Sequence, residues 1–146
     1  MGVDIKKPGH DGKKTKPRTN RMYSTLIDNT PLIHVSAGKH AADYSVNGSL
    51  MNPLEAFYAS LAACAAVYTK KACKELGVPA EGIEINCKPF AGSGGPLTLG
   101  KFKTEVRFPE RFTAEQKTKV LDSIAHCAVK EIVAEGPNIE FSAAEV

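Results

Sequence analysis

No stretch of this chain approaches the roughly 18 consecutive apolar residues that cross a bilayer as a helix. The first residues are basic and polar with no apolar segment behind them, so no signal peptide is expected. Lys6 stands where N-myristoylation requires Ser or Thr. No Cys-x-x-Cys occurs, and His126 beside Cys127 lacks the four-ligand spacing of a structural zinc site. Internal repeats are absent, and residues 22–46 contain no arginine. These absences point to a cytoplasmic, reducing setting with no membrane anchor and no metal or other cofactor. Four cysteines in 146 residues are then reactive or buried groups, not a secreted disulfide scaffold.

What charge there is lies unevenly. Residues 1–21 carry seven Lys or Arg against Asp4 and Asp11, which leaves twelve basic against fourteen acidic residues for the rest. The net charge of +3 therefore belongs to the tail, whose Gly, Pro and Lys composition predicts disorder. A slightly acidic remainder, residues 22–146, reads as one domain and does not point to a nucleic-acid partner.

The order of elements predicts an α+β domain. Residues 22–46 read as two or three short strands with turns at Asn29–Pro31 and Gly38. A long helix follows, with Asn52 as N-cap, Pro53 in its first turn and Gly77 closing it. Glu55, three residues after the cap, is placed to reach back to the Asn52 backbone N–H. About 24 residues at 1.5 Å each give about 36 Å, close to a full domain diameter. Then come strands over 82–90 and 99–108, joined by the Gly-rich "AGSGGP". That stretch lacks the Lys-Ser/Thr ending of a phosphate loop and reads as a hairpin turn. The capping box "TAEQ" at 113–116 opens a second helix, whose apolar face from Val120 to Val133 predicts one helix to Gly136. "NIEFSAAEV" reads as a closing strand.

From Phe57 to Tyr68 the long helix is apolar almost all round. A single sheet of roughly six strands and one other helix cannot cover it. A second subunit packing helix to helix across a two-fold axis can, so the pattern predicts a homodimer.

Each cysteine has a packing explanation. Cys73, nine residues after Cys64, lies on the opposite side of the helix and cannot pair with it. Cys87 follows Ile83 and Ile85 at strand spacing and reads as core. Cys64 shares a face with Phe57, Ser60 and Tyr68, and Cys127 sits on the second helix. Composition alone leaves both open between core and chemistry.

Two segments, "NPLEAFYASLAAC" and "AHCAVKEIV", with cysteines 63 residues apart, resemble the OsmC/Ohr family of osmotically inducible and organic hydroperoxide resistance proteins. The likeness runs from about residue 22 to the C-terminus. It implies an OsmC-like fold with antiparallel sheets and two long central helices, assembled as an intertwined homodimer. It also implies two redox cysteines near the subunit interface. The peroxidase members reduce organic hydroperoxides and form a disulfide that a small dithiol or a lipoylated protein resets.

The implied roles are Cys64 as the thiol that attacks the peroxide and Cys127 as the one that resolves its sulfenic acid to a disulfide, sparing it over-oxidation. A free thiol near pKa 8.5 is under about a tenth ionised at neutral pH. Shifting it by two units takes about 2.7 kcal/mol from a neighbouring cation. Arg21 and Glu55 are the candidates for tuning it, while Phe57, Leu61 and Tyr68 would seat an apolar substrate. Three positions differ from the peroxidase members: Leu54 stands where they carry Glu, the early strands have no Arg, and Ala128 replaces a common Pro. The Pro-Leu-Glu form resembles a less characterised branch. The expected function is thiol-dependent reduction of organic hydroperoxides. A redox sensor or thiol-exchange protein, and a non-enzymatic binder of apolar ligands at the dimer interface, are the alternatives.

Overall fold

The computed structural model describes residues 21–144. All of the basic tail but Arg21 lies outside them. The chain divides after Leu50 into two compact units.

The first unit is a hairpin. Strands β1 (Leu32–Ala37) and β2 (His40–Ser45) pair antiparallel from Leu32↔Ser45 to Ala37↔His40. Gly38, first of the two turn residues, has φ 60°, where a type II′ turn needs glycine. His34 and Asp43 face each other across the strands with Nδ1 and Oδ1 2.6 Å apart. Ser45 is fully buried, donates to the Leu50 carbonyl and accepts from the Leu50 N–H at 2.8 Å. A single bridge, Ser24↔Ser36, is all that the third expected strand amounts to.

The second unit is built on helix α1 (Pro53–Leu76). Asn52 caps it by accepting from the Glu55 N–H at 2.9 Å, and Gly77 closes it at φ 68°. Glu55 does not reach the cap's backbone: its Oε1 accepts from the Asn52 side-chain amide. The buried residues of α1 (Leu61, Ala65, Thr69, Ala72 and Cys73) recur at helical spacing and form one stripe. Strands β3 (Glu84–Phe90) and β4 (Lys101–Arg107) pair antiparallel, with Cys87 opposite Thr104. The Gly-rich link between them is tied by Thr98, whose Oγ1 accepts from the Gly92 N–H and donates to the Gly95 carbonyl. The core gathers at the end of α1, where Ala72 and Cys73 meet Phe112 and Val120, with Leu76, Ile83, Phe108 and Ile124 around them. Arg111 clamps the edge, donating to the carbonyls of Pro79 and Glu81 while its guanidinium lies over the Phe112 ring.

Three expectations change. The second helix is two: α2 (Ala114–Ala125) and α3 (Ala128–Glu135). Cys127 breaks it, with extended backbone at φ −61° and ψ 136°. The freed N–H groups of a restarted helix need acceptors, and the Cys127 sulfur accepts one from Lys130. The four named strands form two separate pairs, not one sheet of roughly six. Residues 137–144 form no strand, because a strand exists only beside a partner edge and they have none among the described residues; Ile139 and Phe141 stand exposed.

Gly77 has open space where a Cβ would go, so substitution there tests backbone conformation alone. Gly77→Ala is expected to lower stability by about 1 kcal/mol through the left-handed conformation. A shifted urea midpoint with unchanged slope would show it; an unchanged midpoint would contradict the cap.

Candidate functional site

Cys64 sits midway along α1, and Cys127 sits at the corner between α2 and α3. Residue spacing on α1 turns Cys64 about 60° from Leu61, so it borders the buried stripe without belonging to it. The Cys64 thiol is half-buried, whereas Cys127 is 3% exposed. Ser123 fastens the corner by donating from Oγ to the Tyr68 carbonyl on α1 at 3.2 Å.

The two sulfurs are neighbours. The Cys127 thiol is pushed above its ordinary range first by burial, then by the neighbouring Cys64 thiol, which favours the protonated form. The backbone N–H groups of Lys130 and Val129, at the start of α3, pull the other way without overcoming burial. Lys130 donates to the Cys127 sulfur at 3.4 Å. Both thiols are free.

Beside Cys127 opens a cavity of about 270 Å³. Its inner end is Leu61, Ala65 and Cys127, all buried; its walls include Leu99, Phe102 and Ile124; its rim is the exposed Thr104, Lys130 and Val133. Lys130 is the one charged side chain among the lining residues, and its Nζ stands 3.5 Å from Glu131. Cys64 does not line this cavity. Its own neighbours by helical spacing, Phe57, Ser60 and Val67, are exposed, Val67 to 61%.

The structure thus brings together Cys64, Cys127 and Leu61. Tyr68 shares the Cys64 face of α1, with the Lys71 ammonium 5.9 Å from its ring. Phe57 lies on the same face and leans on Tyr58, which stacks with Phe102. Glu55, nine residues before Cys64, is on the opposite side of α1 and is taken up with the cap. Arg21 belongs to the first unit, where its side chain lies against Gly38. Cys73 is core, and its thiol is also pushed up by burial, with Arg111 opposing. Cys87 is half-buried, with its sulfur 3.5 Å from Thr104 Oγ1. The cavity residues Leu99, Phe102, Thr104, Ile124, Lys130 and Val133 carry no common sequence signal, since they come from the hairpin and two helices. Among the described residues no three His, Cys, Asp or Glu side chains cluster as a metal site, and no helix is long and apolar enough to cross a membrane.

The family model for OsmC-like protein matches residues 46–142. Among solved structures, the chain is similar to an OsmC-like protein from Mycoplasma pneumoniae at 10% identity and a TM-score of 0.65, covering 82% of this chain and 89% of that one. It is also similar to the organic hydroperoxide resistance protein OhrB of Bacillus subtilis at 17% identity and a TM-score of 0.42, covering 76% of this chain and 90% of that one. No curated protein matches the sequence.

The raised pKa of Cys127 has a measurable consequence. A folded value above the unfolded one means the unfolded chain loses its proton first, so this stabilisation is complete below the ordinary thiol range and is lost as pH rises through the folded value. Cys127→Ser keeps an N-cap acceptor for α3 while removing the thiol. Urea midpoints at pH 7 and pH 10 are expected to fall less in the variant than in the parent. An equal fall would contradict the buried neutral thiol.

Proposed function

The chain belongs to the OsmC-like protein family, and we propose that it is a thiol-dependent peroxidase acting on organic hydroperoxides. The observation that supports this reading is the buried Cys127 thiol at the α2–α3 corner, beside the Cys64 thiol of α1. Cys127 is held neutral by burial, so Cys64 is assigned as the nucleophile. Its thiolate attacks one peroxide oxygen; the O–O bond breaks, the alcohol leaves with a proton, and Cys64 becomes a sulfenic acid. The Cys127 sulfur then attacks the Cys64 sulfur, forming the S–S bond and releasing water. A dithiol, either a small molecule or a lipoyl group on a protein, supplies the two electrons and two protons that restore both thiols.

Phe57 and Tyr68, on the Cys64 face of α1, would receive an apolar substrate, with Leu61 at its inner edge. The Glu55 carboxylate, on the far side of α1, is left to the cap. The exposed Ala63 and Val67, to one side of Cys64, form the uncovered part of α1 on which a second copy would pack. Full burial of a side chain such as Val67 is worth about 1.5–3 kcal/mol.

Two experiments test this reading. With a small dithiol in excess, the protein is expected to turn over cumene hydroperoxide faster than hydrogen peroxide. Cys64→Ser should lose at least about 100-fold in rate, a cost of about 2.7 kcal/mol, and Cys127→Ser should stall after over-oxidation of Cys64. Turnover that survives Cys64→Ser would contradict Cys64 as the nucleophile, and no turnover by the parent would leave the apolar-ligand binder, which the cavity beside Cys127 favours. In sedimentation, the chain should run at about twice its 15.6 kDa mass, and Val67→Glu should shift it to the monomer. A monomeric parent would contradict the packed α1 face.

A further inference from the structure

The proposed catalytic cycle needs two visitors at one pair of sulfurs, an oxidant and a reductant. We propose that they arrive from opposite sides: the hydroperoxide on the α1 face at Cys64, and the reducing thiol through the cavity at Cys127. This rests on the peroxidase reading and adds to it which sulfur of the disulfide is attacked.

Four features of the site support it. Cys127 closes the inner end of the 270 Å³ cavity, whereas Cys64 is not among the residues that line it. Thiol–disulfide exchange is an in-line displacement, so the attacking sulfur must come from the side away from the leaving one. For Cys64 to leave, the reductant must reach Cys127 without passing Cys64, and the cavity has Cys127 but not Cys64 in its lining. The attacker is an anionic thiolate, and the cavity offers it the α3 N-terminus, with the Lys130 N–H already on the Cys127 sulfur, and the Lys130 ammonium at the rim. Finally, burial disfavours the Cys127 thiolate, which makes Cys127 a poor leaving group.

The step balances as follows. One thiolate of a dithiol bonds to the Cys127 sulfur, the Cys64–Cys127 bond breaks, and Cys64 departs with the electron pair as a thiolate, ready for the next peroxide. The second thiol of the reductant then attacks its own sulfur in the mixed disulfide. Cys127 leaves and takes up a proton, and the reductant departs as a cyclic disulfide.

A monothiol cannot complete the second step, so it traps the first. The full-length protein is oxidised to the Cys64–Cys127 disulfide and treated briefly with 2-mercaptoethanol in the presence of iodoacetamide. It is then quenched with acid and mapped by peptide mass spectrometry. The expected product carries 2-mercaptoethanol on Cys127 and the carbamidomethyl group on Cys64, by at least tenfold over the reverse. Adducts mainly on Cys64, or divided evenly, would overturn the two-sided site. The disulfide can be made with diamide as well as with cumene hydroperoxide. Failure of the hydroperoxide to form it strikes the peroxidase reading, while the position of the adduct on the diamide-made disulfide still decides this one.

Discussion

The site depends on one bend in the backbone. At Cys127 the chain leaves helical geometry, and the same sulfur then does two things: it accepts the Lys130 N–H that a restarted helix leaves unpaired, and it meets the Cys64 thiol. Sulfur is a weak hydrogen-bond partner, so neither contact is strong alone. What fixes the arrangement is burial, with Cys127 almost sealed from water between α1 and the corner, and with Ser123 pinning that corner to the Tyr68 carbonyl. A thiol held this way is neutral, positioned and adjacent to a second thiol, which is what a resolving cysteine requires.

Helix α1 is the other half of the account. Its buried stripe, with Ala65 and Ala72 small enough for close approach, packs inward and ends in the core at Cys73. Its other face carries Cys64 beside exposed Phe57, Ala63 and Val67. A helix with an apolar face on both sides is costly in water and useful at an interface. Cys64 therefore stands where the inner and outer surfaces of α1 meet.

Much of this was legible in the residues. Asn52, Pro53 and Gly77 mark the ends of α1 because their local backbone preferences act without help from the rest of the fold. The Thr113–Gln116 capping box is present with both of its bonds. The alternation from Lys101 to Arg107 gave strand β4, with Phe102 and Val106 on the inner face. The break at Cys127 was not legible, because the apolar spacing runs unbroken from Val120 to Val133 and cysteine is not a usual cap. The closing strand failed for a different reason: Ile139 and Phe141 have strand-forming side chains, but pairing depends on an edge that a sequence does not name. The cavity is a tertiary object, joining Phe102, Ile124 and Val133 from segments with no shared pattern. Glu55 shows how one residue can serve two readings, since the spacing that suits a cap also puts it opposite Cys64.

The central claim is that Cys64 and Cys127 are a redox pair. The most direct test is the intact mass of the reduced protein after one equivalent of cumene hydroperoxide. The account predicts a rapid loss of about two mass units, the two hydrogens of one disulfide, with the cross-link mapped to the peptides bearing Cys64 and Cys127. An unchanged mass with both thiols still free to alkylate would contradict it, as would a disulfide that joined any other two cysteines.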